Sequence, residues 1–142
     1  MYPGAAGRIG VVTVAPDGTI SDGVAEGLTV LSGAFNPLHQ GHEGMLTAAM
    51  GITGTAGAFE LSIVNVDKPE LPEEEVRERI SQFSGSYTAL ISRAPTFLEK
   101  SRIMPGASFV IGYDTAARLF DDRYYPVYQR ETDPENTGSA TL

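Results

Sequence analysis

Apolar residues come along this chain in short bursts, and the period of the bursts alternates between that of a strand and that of a helix. Residues 9–14 (Ile-Gly-Val-Val-Thr-Val) and 19–20 flank Ala15-Pro-Asp-Gly18. A Pro-Asp-Gly turn between β-prone stretches predicts a small hairpin or edge ribbon. Residues 27–32 (Gly-Leu-Thr-Val-Leu-Ser) read as a short, fully buried strand. Residues 42–50 fit a helix with Met45, Leu46 and Ala49 on one face, and the glycine-spaced stretch 51–57 is expected to break it. A second strand is predicted over 59–66. A clear helix over 71–83 follows, with Pro72 and Glu73, Glu74 and Glu75 in its first turn and Val76, Ile80 and Phe83 on one face. Further along come a strand over 87–92, a helix over 96–103 closed by Pro105-Gly106, and a strand over 108–112. Another helix begins at Asp114. From residue 121 the periodicity fades, and 131–142 is a polar, Pro/Gly/Ser/Thr-rich tail, expected to be poorly ordered.

Strands alternating with helices predict an α/β fold: a parallel sheet with helices on both faces, preceded by a small N-terminal β ribbon. The expected division is 1–26 for the ribbon, 27–130 for the α/β domain and 131–142 for the tail. In such sheets ligands bind beyond the carboxyl ends of the strands. Polar clusters fall at those ends. His39 and His42 follow the first sheet strand, Asn65-Val-Asp-Lys68 the second, and Gly112-Tyr-Asp114 the fourth.

Composition narrows the function classes. The 142 residues carry a net charge of −8, with only ten Lys and Arg against 18 Asp and Glu. Without a basic face, a nucleic-acid partner is not expected. There is no cysteine, which removes disulfides, thiolate metal sites and a cysteine nucleophile. The first residues lack a signal-peptide layout, and no apolar run reaches the roughly 18 residues a membrane span needs. A soluble, cytoplasmic protein with no membrane partner is expected.

Both histidines lie in Gly33-Ala-Phe-Asn-Pro-Leu-His-Gln-Gly-His42, where a strand runs through a Gly/Pro turn into a helix start. Backbone N–H groups and the positive helix end attract an anion there, and imidazoles add hydrogen bonds to phosphoryl oxygens. The segment resembles the Gly-x-Phe-x-Pro-x-His-x-Gly-His signature of the HxGH-type, cytidylyltransferase-like nucleotidyltransferase superfamily. Phe109-Val-Ile-Gly-Tyr-Asp114 is similar to a segment of its nicotinamide/nicotinate mononucleotide adenylyltransferase branch.

The resemblance implies a Rossmann-like fold and transfer of a nucleotidyl group, adenylyl in the first instance, from ATP or CTP to a small phosphorylated acceptor such as a pyridine mononucleotide, as in NAD biosynthesis. His39 and His42 would be catalytic, contacting the triphosphate and steadying charge as pyrophosphate leaves. Gly33, Ala34, Phe35, Asn36 and Gly41 would bind the nucleotide by the turn, Lys68 a phosphate, and Gly112 and Asp114 the base and ribose. Mg2+ would arrive with the triphosphate, with no metal ligands of the protein's own. A homo-oligomer fits the family.

Two departures keep alternatives open. Ala34 stands where many relatives have Ser or Thr, and nothing after Leu119 matches the late Ser/Thr-rich motif that ends in Arg. A nucleotide-binding module or truncated form without turnover is one alternative. Cytidylyl or phosphopantetheine adenylyl transfer is another. For Asp114 a helix cap, for Lys68 a loop surface, and for Arg93 and Arg118 a structural salt bridge compete with ligand contact.

Overall fold

The computed structural model describes residues 10–64 and 68–111. The chain divides into two compact units, Met1–Val110 and Ile111–Leu142, and the first holds every element given below. Its elements run β1 (Val11–Val14), β2 (Ile20–Asp22), β3 (Thr29–Ser32), α1 (Gln40–Thr53), β4 (Gly57–Ser62), α2 (Glu73–Ser81), β5 (Ala89–Ser92), α3 (Phe97–Ile103) and β6 (Ser108–Val110).

They form one six-stranded sheet in the order β2-β1-β5-β4-β3-β6. Neighbours among β5, β4, β3 and β6 pair in parallel, while β1 pairs antiparallel with both β2 and β5. The sheet is therefore mixed, which corrects the all-parallel expectation. The N-terminal ribbon forms one edge of this sheet. Val11 and Val12 are completely buried and extend the sheet past β5, whereas β2 is exposed along its length.

The α/β expectation holds. The strand register sorts the core into two layers. Leu31, Phe59, Leu61, Ala89 and Ile91 point to one face, where they pack with Leu46 of α1 and Val76 and Ile80 of α2. Val11, Val30, Ala58 and Leu90 point to the other and meet Ile103 and Met104 at the end of α3. Covering both faces is what lets the central strands read as near-continuous apolar runs. Phe59 anchors the larger layer. Its ring stacks on Phe83 at 5.0 Å and meets Phe35 and Tyr87 edge-on at 5.2 and 5.0 Å.

The helices start and stop for local reasons. α1 begins earlier and ends later than its periodicity predicts. Gly51 lies inside it, and the stop comes at Gly54, whose φ of 73° allows its N–H to close onto the Met50 carbonyl. In α2, Pro72 sits at the N-cap, the exposed Glu73 pairs with the exposed Arg77, and the half-buried Glu75 pairs with Arg79. A solvent-facing pair such as Glu73–Arg77 adds up to about 1 kcal/mol. Thr96 caps α3 by accepting from the Glu99 N–H at 3.3 Å. No helix among the described residues is long and apolar enough to cross a membrane.

Candidate phosphate-binding turn

The two histidines form the cap of α1. His39 is the N-cap residue, with extended backbone (φ −143°, ψ 176°), and its Nδ1 accepts a hydrogen bond from the Gly41 N–H at 3.1 Å. His42, three residues on, returns the favour: its Nδ1 accepts from the His39 N–H at 3.1 Å. This is a capping box in which imidazoles stand where Ser and Glu usually do. The rings lie face to face, 3.7 Å between centroids and 18° apart.

That geometry fixes the chemistry of the pair. A ring nitrogen that accepts a hydrogen bond carries no proton, so each neutral imidazole holds its hydrogen on Nε2. Among the described residues no partner takes those Nε2–H groups. The site thus presents two neutral N–H donors side by side. Partial burial holds the His42 pKa below its usual value, and the neighbouring His39 charge pushes it the same way. Both effects disfavour the imidazolium form of His42, and the hydrogen bond accepted at Nδ1 sets the tautomer of its neutral ring.

Glycine at 41 gives the cap room: a Cβ there would sit 3.0 Å from Cε1 of the His39 ring, which would have to shift by a few tenths of an ångström. Glycine at 33 is demanded by the loop, since a Cβ would press on the Phe35 ring at 3.0 Å. The Gly33 N–H donates to the Glu60 carbonyl at 3.1 Å. In this structure the N–H groups of Gly33 and Gly41 are therefore spent inside the protein. The outward-facing donors are the imidazoles. Phe35 adopts a left-handed φ of 50°, and its side chain is buried against Phe59, Phe83 and the edge of His42. Ala34 and Asn36 are exposed, and the peptide between Asn36 and Pro37 is cis.

Two residues unmarked by the sequence hold this loop. The Gln82 side chain accepts from the Leu38 N–H at 2.8 Å and donates to the Phe35 carbonyl at 2.7 Å, clamping both ends of the turn. Arg79 donates to the Ala34 carbonyl at 3.2 Å while paired with Glu75. Arg79 lies in the last turn of α2 and Gln82 is its C-cap residue, and nothing in the local sequence points either of them at this loop. Tyr87 donates its hydroxyl to Glu43 at 2.7 Å, tying the first turn of α1 to the stretch before β5.

The remaining candidates are scattered. Lys68 is exposed in the connection after β4. Arg93 is engaged bidentately by Glu70 at 2.8 and 3.0 Å, the salt-bridge alternative. Gly112, Asp114 and Arg118 lie outside the described residues, as do Asn65, Val66 and Asp67. Among the described residues no group of three or more His, Asp or Glu is arranged to hold a metal ion. No family model, curated protein or solved structure matches this chain.

Proposed function

We propose that the chain is a nucleotidyltransferase that moves a nucleotidyl group from a magnesium-bound nucleoside triphosphate to a phosphate-bearing acceptor. ATP as donor and a pyridine mononucleotide as acceptor are the first choice. One observation carries the reading. Two stacked imidazoles, each with Nδ1 occupied by a backbone N–H, turn two Nε2–H donors outward at a helix N-terminus. That is a binding surface for oxyanions, where neighbouring phosphoryl oxygens can each take one donor.

The strand order gives separate support. Counting only the parallel strands in chain order, the sheet reads 3-2-1-4, the first four positions of the Rossmann order 3-2-1-4-5-6: one mononucleotide-binding half and the first strand of the next. The order reverses between β3 and β6. The histidine turn leaves the end of β3 at that point, where ligands of open α/β sheets bind.

In this reading an acceptor phosphate oxygen attacks the α-phosphorus. The bond from that phosphorus to the bridging oxygen breaks, and the electron pair leaves on pyrophosphate. Charge rises on the oxygens that the Nε2–H groups of His39 and His42 face, so their hydrogen bonds strengthen toward the transition state. No side chain is consumed. The protein supplies position and preorganised dipoles. Magnesium enters as part of the substrate, and Lys68 is proposed for a phosphate. A cytoplasmic setting suits these substrates.

The test is pyrophosphate release by the pure protein with magnesium and ATP or CTP. Acceptors are nicotinamide mononucleotide, nicotinate mononucleotide, phosphopantetheine and glycerol 3-phosphate. His42→Ala removes a transition-state donor and is expected to lower the rate at least about a hundredfold. Equal rates in the two proteins would refute the role of the pair. Triphosphate binding with no release for any acceptor would favour a binding module without turnover.

A further inference from the structure

Strand β4 carries one charged residue in an otherwise apolar core segment, Ala58-Phe-Glu-Leu61, and that residue is completely buried. Burying a carboxylate is costly, and Glu60 is compensated by a full set of partners. Lys100 of α3, itself nearly buried, donates from Nζ to both carboxylate oxygens at 2.9 Å. The Ser32 hydroxyl donates to Oε1 and the Ser92 hydroxyl to Oε2. Ser32 and Ser92 are the last residues of β3 and β5, the two strands that flank β4. The cluster therefore ties β4 to the last residues of both its neighbours, on the α3 face of the sheet.

Stability alone is a poor explanation for such a pair. Well-packed apolar residues of similar size are often as stable as a buried ion pair, or more so. Its location offers a better one. The Glu60 side chain holds Ser32, and the Glu60 carbonyl takes the N–H of the next residue, Gly33. Glu60 thus grips two successive residues at the root of the histidine turn. From there the contacts run outward. The Gly33 backbone lies against the Phe35 ring, and that ring meets His42 edge-on at 5.0 Å.

We infer that Glu60 is a positioning residue for the turn 33–39, acting through Ser32 and Gly33, with Lys100 and Ser92 holding its carboxylate in register. It fixes where β3 releases the chain, and so where Phe35 seats and the imidazole stack stands. The role in ligand binding rests on the function proposed above. The mechanical role does not.

Two matched deletions separate positioning from plain stabilisation. Ser32→Ala and Ser92→Ala each remove one hydroxyl from one oxygen of the same carboxylate, but only Ser32 adjoins the turn. Three quantities are compared: the melting temperature, amide hydrogen exchange at Gly33 and Phe35, and Mg–ATP affinity by calorimetry. Both variants are expected to melt lower by similar amounts. Only Ser32→Ala is expected to speed exchange at Gly33 and weaken Mg–ATP, each by about tenfold, the worth of one hydrogen bond to a charged group. A double variant, Glu60→Leu with Lys100→Met, removes the tether without stranding a charge and is expected to behave as Ser32→Ala does. If the serine variants are alike at Gly33, or the double variant keeps native exchange there, the positioning role is wrong. If the unmodified protein binds no Mg–ATP, the nucleotidyltransferase reading fails while the exchange data still decide the inference.

Discussion

At the scale of single residues, the site depends on which nitrogen of each imidazole holds the hydrogen. His39 and His42 cap one another's turn through Nδ1, so a proton arriving there displaces a backbone N–H donor. Burial and the His39 charge lower the His42 pKa from its ordinary 6.5. Below that pH the unfolded chain takes up a proton that the folded site refuses. The stability this group contributes is therefore present above about pH 6.5 and is lost as the pH falls through the depressed value. An NMR titration should give His42 a midpoint below 6.5, and a midpoint above it would contradict the cap. Gly41→Ala makes a second test. In an exposed helical position the change ordinarily stabilises by up to about 1 kcal/mol. Here the new Cβ meets the His39 ring, so the variant is expected to lose triphosphate affinity with no gain in melting temperature.

At the scale of elements, the sequence already showed strand, Gly/Pro turn and helix around the histidines, and every described helix lies where its periodicity put it. The boundaries did not follow from the pattern. The α1 start is hidden because two histidines do the work of Ser and Glu, and capping rules read hydroxyls and carboxylates. Its end is hidden because Gly51 is helical and the left-handed stop falls at Gly54. Gln82 stayed hidden because its partners, Phe35 and Leu38, lie more than forty residues away in sequence. Glu60 is a lone charge in a buried strand, and nothing local in the sequence names Lys100 as its partner. The Gln82 clamp yields a measurable expectation. Gln82→Ala leaves the Phe35 carbonyl and Leu38 N–H without their partner, and should cost about 1–3 kcal/mol in a denaturant titration. A loss below a few tenths would mean that the turn holds itself.

At the scale of the whole molecule, the main difference from expectation is that the ribbon pairs antiparallel with β5 and makes the sheet mixed. The Pro-Asp-Gly hairpin was legible because turn chemistry is local. Its docking onto β5 was not, because residues 11–14 and 89–92 meet only through the fold. Val11 and Val12, fully buried, make β1 part of the core. A chain starting at residue 27 would expose that side of β5, so it should lose cooperative unfolding. A truncated protein that melts as sharply as the full chain would show the ribbon to be dispensable.

The most direct measurement of the central claim follows the ring nitrogens of His39 and His42 by multiple-bond 1H–15N NMR near neutral pH, with and without Mg–ATP. Two neutral rings with bare Nδ1 and protonated Nε2 are expected. On saturation with Mg–ATP, both Nε2 signals should shift while the tautomers stay as they were. Hydrogens on Nδ1, or Nε2 signals that ignore both Mg–ATP and Mg–CTP, would contradict the central claim.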